Sequence, residues 1–310
     1  MWKFVYKRLI ALIPVLLGVT LLVYCILSAA PGDPARTILG LEASAEAVAQ
    51  LREEMGLNKP VIVQYFNYIL NILRGDFGRS WVSNHPVVEE LGACLPYTLA
   101  LAACGLGLTL LFALPLGVLA GVKQNSLLDN ISMALASLGQ SLPTFWLGLI
   151  CILFFSVKMR WLPSSGTQDG WVCIIMPAMA LSLQGLAGVA RTSRSSMLEV
   201  IRSDYVRTAR SKGLSKKTVI TKHALQNAMI PTLTVMGLQL CYMISNAVLV
   251  ENIFAWPGIG RLLVQSINNR DIPMVLGCIT VFAFSFSIIN LAVDLLYGVF
   301  DPRIKAQYKR

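Results

Sequence analysis

Residues 203–231 read SDYVRTARSKGLSKKTVITKHALQNAMIP, a polar and strongly basic stretch set between two long apolar segments. Ser203 stands where a helix N-cap would, Asp204 falls in the first turn and Lys212 in the last, the charge order a helix dipole favours. The spacing predicts a short helix over 204–212. Gly213 suits the left-handed residue that closes a helix, and Leu214 the hydrophobic contact that follows it. Ser215 then caps a second helix running toward Pro231. A solvated loop would need only the charge; the caps and the glycine break specify helix, hinge, helix. Tyr205, Val206, Ala209 and Leu214 are apolar enough to enter a protein groove, with Arg207, Arg210 and Lys212 ringing the contact, as docking amphipathic helices do.

The surroundings of this insert are membrane-like. The chain has 310 residues, of which 55% are hydrophobic and 14% charged, against about 25% charged in soluble domains. A span needs about 20 mainly apolar residues, and such runs occur at 9–30, 97–121, 132–157, 172–190, 229–250 and 275–298. The expected fold is therefore an all-α, polytopic membrane protein with six transmembrane helices. The fourth run is the weakest, carrying Pro177, Ser182, Gln184 and several glycines. The first is too long for the apolar core of a signal peptide and reads as an uncleaved span.

Charge gives the sidedness. The net charge is +10, but it is confined to residues 1–8, 191–228 and 299–310, with no basic groove of interleaved aromatics, so nucleic acid is not an expected partner. Lys and Arg mark the cytoplasmic side, which places both termini and the 191–228 connection there. Residues 31–96 carry eight acidic against five basic side chains and are expected outside. Within that outer insert Ser44 can cap a helix over 45–55 that ends at Gly56, and Pro60 can open a second over 60–73. Its stripe of Val61, Tyr65, Tyr68, Ile69 and Ile72 favours packing on the bundle over lying on the membrane surface. Gly75-Asp76-Phe77-Gly78 reads as a turn.

The 203–231 stretch resembles the cytoplasmic EAA-type loop of binding-protein-dependent ABC importer permeases. The Ala209…Gly213 spacing and the run from His223 through Asn227 to Pro231 carry the likeness. Arg207-Thr208-Ala209 stands where the general motif reads EAA, and Leu225-Gln226 replaces its later Leu-Pro, departures typical of the B-type permeases for dipeptides, oligopeptides and nickel. The resemblance extends over nearly the whole chain, through Pro31-Gly32-Asp33-Pro34, Gly75-Asp76-Phe77-Gly78-x-Ser80, Ser141-Leu142-Pro143, Glu251-Asn252-Ile253-Phe254-Ala255-Trp256-Pro257-Gly258 and Arg270-Asp271-x-Pro273. It implies a permease domain over about 95–303 with the type I importer architecture, in the cytoplasmic membrane of a bacterium or archaeon. It also implies partners: a second homologous permease subunit, two ABC ATPase subunits that bind the ATP, an external solute-binding protein, and membrane lipid. Asp204, Tyr205, Arg207, Ala209, Arg210, Gly213 and Leu214 would then couple to the ATPase, with His223, Asn227 and Pro231 supporting the loop. The implied cargo is di- or oligopeptide, with nickel or a metal chelate as the alternative.

The remaining residues point to no chemistry of the chain's own. There is no GxxxxGK[ST] phosphate loop, no cofactor motif, and the two histidines, His85 and His223, lie far apart without clustered ligands for a metal. Gln140, Ser141, Thr144, Gln184, Gln239, Asn246 and Asn290 are candidates for lining a pathway; helix–helix hydrogen bonding is the other role open to them. Asp294 is the one acid well inside a predicted span, and pairing with Arg303 is favoured over a proton relay. An ion-coupled secondary transporter is the more distant alternative, since repeated broken halves with ionisable groups are not apparent. Cys94 and Cys173 both fall near the predicted outer face, and whether they pair is left open.

Overall fold

A computed structural model describes residues 2–29, 32–40 and 42–300. It divides into two compact units, one formed by residues 99–256 and 288–300 and the other by residues 2–98 and 257–287. Two long helices, α5 (Val87–Val122) and α13 (Ile272–Phe300), contribute residues to both. Among the described residues five stretches are long and apolar enough to cross a membrane, and a bent helix pair brings the number to six if it is one span.

In the first unit that bent pair is α6 (Leu127–Ser141) and α7 (Thr144–Cys151), the latter continuing as a π-helical stretch, Ile152–Lys158. The sequence predicts a span over 132–157, and within that stretch α6 and α7 meet at 100°. The cause is local. Leu142 precedes Pro143, whose ring crowds the preceding residue out of the helical region, and Leu142 adopts an extended backbone with φ −88° and ψ 132°. At its start α6 is capped by Ser126, whose hydroxyl accepts from the Asp129 amide at 3.2 Å.

A 3₁₀ stretch, Gly170–Ile174, leads into α8 (Ile175–Ile201). This span, the weakest of those expected, has 61% of its most apolar window buried within the chain. Its small and polar residues are thus accommodated by protein neighbours. A Cβ on Gly117 of α5 would lie 2.5 Å from the Ala190 carbonyl oxygen, and one on Gly121 would lie 2.7 Å from Met197 Cβ. Such absent side chains let two helix backbones approach closely. Two further helices complete this unit: a short one, α9 (Asp204–Ser211), and a long one built from α10 (Lys216–Thr218), a π-helical stretch Val219–Ala224 and α11 (Leu225–Ile253). Cys173 is a buried free thiol.

The second unit contains α1 (Trp2–Ala29), α2 (Pro34–Leu39), α3 (Ala45–Glu54), α4 (Val61–Leu73) and α12 (Ile259–Asn268). Ser44 caps α3 by accepting from the Ala47 amide at 3.2 Å, and Gly56 follows its end with φ +69°. Pro60 is the N-cap of α4 and not its first helical residue, a shift of one position. The α4 stripe packs on α1: the Tyr65 hydroxyl donates to the Leu17 carbonyl at 2.8 Å and meets Thr20 Oγ1 at 3.0 Å. The Tyr24 hydroxyl donates to Gln64 Oε1 at 2.7 Å. Asp271, 3% exposed, draws the two loop motifs together, accepting from the Ser80 hydroxyl and from the Trp81 amide at 3.1 Å. The proposed contact between Asp294 and Arg303 lies outside the described residues.

Candidate functional site: the basic helix–glycine–helix module

The module forms as helix, glycine break, helix, with differences at its edges. Ser203 has the extended backbone of an N-cap, φ −70° and ψ 151°. Its hydroxyl, however, donates back to the Val200 carbonyl at 2.6 Å instead of capping α9. The reason is proximity: α8 ends two residues earlier, and a helix end leaves unsatisfied carbonyls that capture a nearby hydroxyl. Lys212 is the residue that closes α9, one step past its last turn. Gly213 has φ +78°, a conformation that costs little only without a Cβ. Ser215 caps the second helix, accepting from the Thr218 amide at 3.3 Å.

The apolar residues of α9 do not all face outward, as the groove-docking pattern expects. Val206 is fully buried and Ala209 is 7% exposed, packed with Met197, Val219, Ala224 and Ala228 of the same chain. Their i, i+3 spacing puts them on one helical face, and that face anchors α9 to the end of α8 and to the π-helical stretch. Tyr205 and Leu214 stay exposed, so Leu214 does not bury itself as a closing contact. Asp204, Arg207, Arg210 and Lys212 are exposed as well. The Tyr205 hydroxyl accepts from Asn227 Nδ2 at 2.7 Å, tying α9 to α11. His223 sits half-buried in the π-helical stretch, and Pro231 is exposed in the first turns of α11. The result is a short helix gripped from behind, offering a cationic face with one aromatic and one aliphatic side chain.

The candidate pathway residues are scattered through the same unit. Gln140 is exposed and accepts from Arg191 Nη2 at 2.5 Å. Ser141 donates to the Ser137 carbonyl and Asn246 to the Tyr242 carbonyl, both within their own helices. Gln184 Nε2 makes a long contact of 3.5 Å with the Leu142 carbonyl at the break between α6 and α7. Thr144, just past the break, is 4% exposed, and its hydroxyl has no partner. Gln239 lies over Gly185, where a Cβ would meet its amide nitrogen at 2.5 Å, and that nitrogen is buried without a partner. Asn290 accepts a weak contact from Cys241 Sγ at 3.8 Å.

One pair escaped the sequence reading. Arg194 donates from Nε and Nη2 to the two carboxylate oxygens of Asp129, at 2.6 and 2.7 Å. In the sequence Arg194 is one of the basic residues of 191–228, and Asp129 stands between two apolar runs with no partner marked. The available signal was an acid three residues after Ser126, the place a first-turn acid takes in a serine-capped helix.

Among the described residues, helices long and apolar enough to cross a membrane, with an exposed cationic helix between two of them, define a multi-pass membrane protein. The family described as "Binding-protein-dependent transport system inner membrane component" matches residues 113–306, and its N-terminal companion matches residues 1–102. The glutathione transport system permease protein GsiC of Salmonella typhi is 43% identical over 305 residues, which cover 98% of this chain and 99% of that protein. GsiC of Escherichia coli (strain K12) is 42% identical over the same shares. Among solved structures, the MetNI methionine ABC transporter in an inward-facing conformation superposes with a TM-score of 0.58 at 19% identity, covering 68% of this chain and 96% of that one. An amino acid ABC transporter with histidines gives 0.54 at 15%, with shares of 68% and 94%. These structures establish the fold, that of the type I importer permeases. The chain belongs to the binding-protein-dependent inner-membrane component family and is a permease subunit of an ABC importer, a multi-pass inner-membrane protein.

Proposed function

We propose that this chain forms one half of the translocation path of an ATP-driven importer of short peptides, and that α9 is the element through which separate ATPase subunits drive it. The observation that carries the coupling reading is the division of labour within α9. Val206 and Ala209 hold the helix to its own chain, while Tyr205, Arg207, Arg210 and Leu214 are left exposed. A helix anchored on one face transmits force applied to the other. The chain would pair with a second homologous permease, bind two ATPase subunits that hold the ATP, and receive cargo from an external solute-binding protein. Residues 1–8, the α9 module and the C-terminal tail would face the cytoplasm, by the distribution of Lys and Arg.

The peptide assignment takes its support from the glutathione permeases among the relatives, glutathione being itself a small peptide. The test is reconstitution of the permease pair with its ATPase and binding protein in proteoliposomes. ATP-dependent uptake of labelled glutathione or dialanine is expected. Uptake driven by an ion gradient in vesicles that lack the ATPase subunits would overturn the reading; ATP-driven uptake of nickel without peptide uptake would overturn the substrate class alone.

A further inference from the structure

The lower part of α8 is fastened to the α5–α6 region by three arginines. Arg191 donates to Gln140 at 2.5 Å, Arg202 donates to Gln124 at 2.9 Å, and Arg194 grips Asp129 through the two bonds described above. The outer contacts are exposed; the Asp129 side chain is only 1% exposed and that of Arg194 27%. The Asn125 amide donates to the same carboxylate at 3.0 Å. The acid is thus fixed from three directions: by the guanidinium fork, by the preceding turn, and by its own place in the first turn of α6.

A buried ion pair is a poor way to gain stability, because desolvating both charges offsets most of their attraction, and a well-packed apolar pair of similar volume commonly does as well or better. What an ion pair adds is geometry. An Arg–carboxylate fork is planar and bidentate, so it holds one relative position of its two elements; an apolar contact tolerates sliding. The elements held here are specific. Met197, one turn beyond Arg194 on α8, belongs to the cluster that anchors Val206 and Ala209 of α9. Asp129 lies at the start of α6, the half-span that ends at the Leu142–Pro143 break.

We propose that Asp129 and Arg194 are positioning residues for transport. They make α6 follow α8, so that a displacement delivered to α9 is passed along α8 and reaches the bent span, which flexes at Leu142–Pro143. The inference rests on the reading of α9 as the coupling element. At the far end of α6 Arg191 holds Gln140, and Gln184 makes its 3.5 Å contact with the Leu142 carbonyl. Between α6 and α7 the helical backbone is interrupted at Leu142–Pro143, and an interrupted helix bends at its break while the base of α6 is held.

The experiment uses the complete importer in proteoliposomes, with ATP hydrolysis and uptake of labelled glutathione measured on the same preparation. Asp129→Asn keeps the shape of the side chain and removes its charge. The expected result is ATP hydrolysis within about twofold of wild type and peptide imported per ATP reduced about tenfold. The charge-reversed double variant Asp129→Arg/Arg194→Asp should recover a large part of that ratio. An unchanged ratio in Asp129→Asn overturns the inference. So does a parallel loss of hydrolysis and uptake that the double variant does not reverse, which would mark the pair as a structural element only. Should Asp129→Asn fail to assemble, Arg194→Lys keeps the charge and loses the fork; a wild-type ratio in that variant equally overturns the proposal. Arg207→Glu on the exposed face of α9 separates the two readings. If it leaves uptake untouched, the coupling role of α9 falls; if it uncouples while Arg194→Lys does not, only the role of the pair falls.

Discussion

Replacing Gly213 by valine isolates a backbone requirement from a packing requirement. The residue has φ +78°, and a Cβ built on it meets nothing within 4 Å. Any effect of a side chain there is therefore conformational. A non-glycine residue in the left-handed region costs roughly 1–2 kcal/mol, and a β-branched one sits at or above the top of that range. Asparagine, which visits the region readily, should cost a fraction of it. Against this stands the anchoring of α9, chiefly the burial of Val206, of about 1.5–3 kcal/mol for a fully buried aliphatic side chain. The strain and the anchor are comparable, so Gly213→Val should raise the local opening of α9 by about 5–30-fold, tenfold corresponding to about 1.4 kcal/mol. Hydrogen exchange of the 204–211 amides in the purified permease reads that factor directly. Exchange in α5, α8 and α13 should stay unchanged, and ATP-driven uptake should fall with Gly213→Val and hold with Gly213→Asn. Equal exchange and equal uptake in the valine, asparagine and wild-type proteins would refute the argument that the left-handed turn positions α9.

Other substitutions follow from the same geometry. Val206→Ala removes two methyl groups from a site with no exposure, for a cost of about 1–3 kcal/mol, and should increase exchange in α9 while Tyr205→Phe at the exposed face does so only slightly. Gly117→Val places a Cβ where the Ala190 carbonyl oxygen is 2.5 Å away; since backbone must move, about 1–3 kcal/mol of overpacking strain is expected, visible as a lower melting temperature of the detergent-purified protein. Asp271→Asn exchanges a charged acceptor of the Ser80 hydroxyl and the Trp81 amide for a neutral one, and should cost about 1–2 kcal/mol with faster proteolysis near residues 76–86. A melting temperature unaltered in either of these last variants would count against the packing described for its unit.

Local structure was the part of this protein open to reading from its residues. Long apolar runs must form helices in lipid because no other open-ended element satisfies its own backbone, and Ser44, Ser126 and Ser215 accept the cap bonds that serine offers at such positions. Ser203 shows where that reading stops: its backbone is a cap, but a carbonyl left over from α8 took the hydroxyl. Pro143 was visible, but not the 100° it would produce, since a proline states that a helix is interrupted without saying where the next one goes.

The sequence by itself determined the class of fold, the basic module and its glycine turn, because hydropathy, capping and the left-handed region act over a few residues. Tertiary structure alone decided which face of α9 is spent on its own chain and that Asp129 meets Arg194 across 65 positions. Periodicity marks an apolar face without naming what covers it, and a charge in a one-dimensional sequence has no address for its partner until the helices have packed.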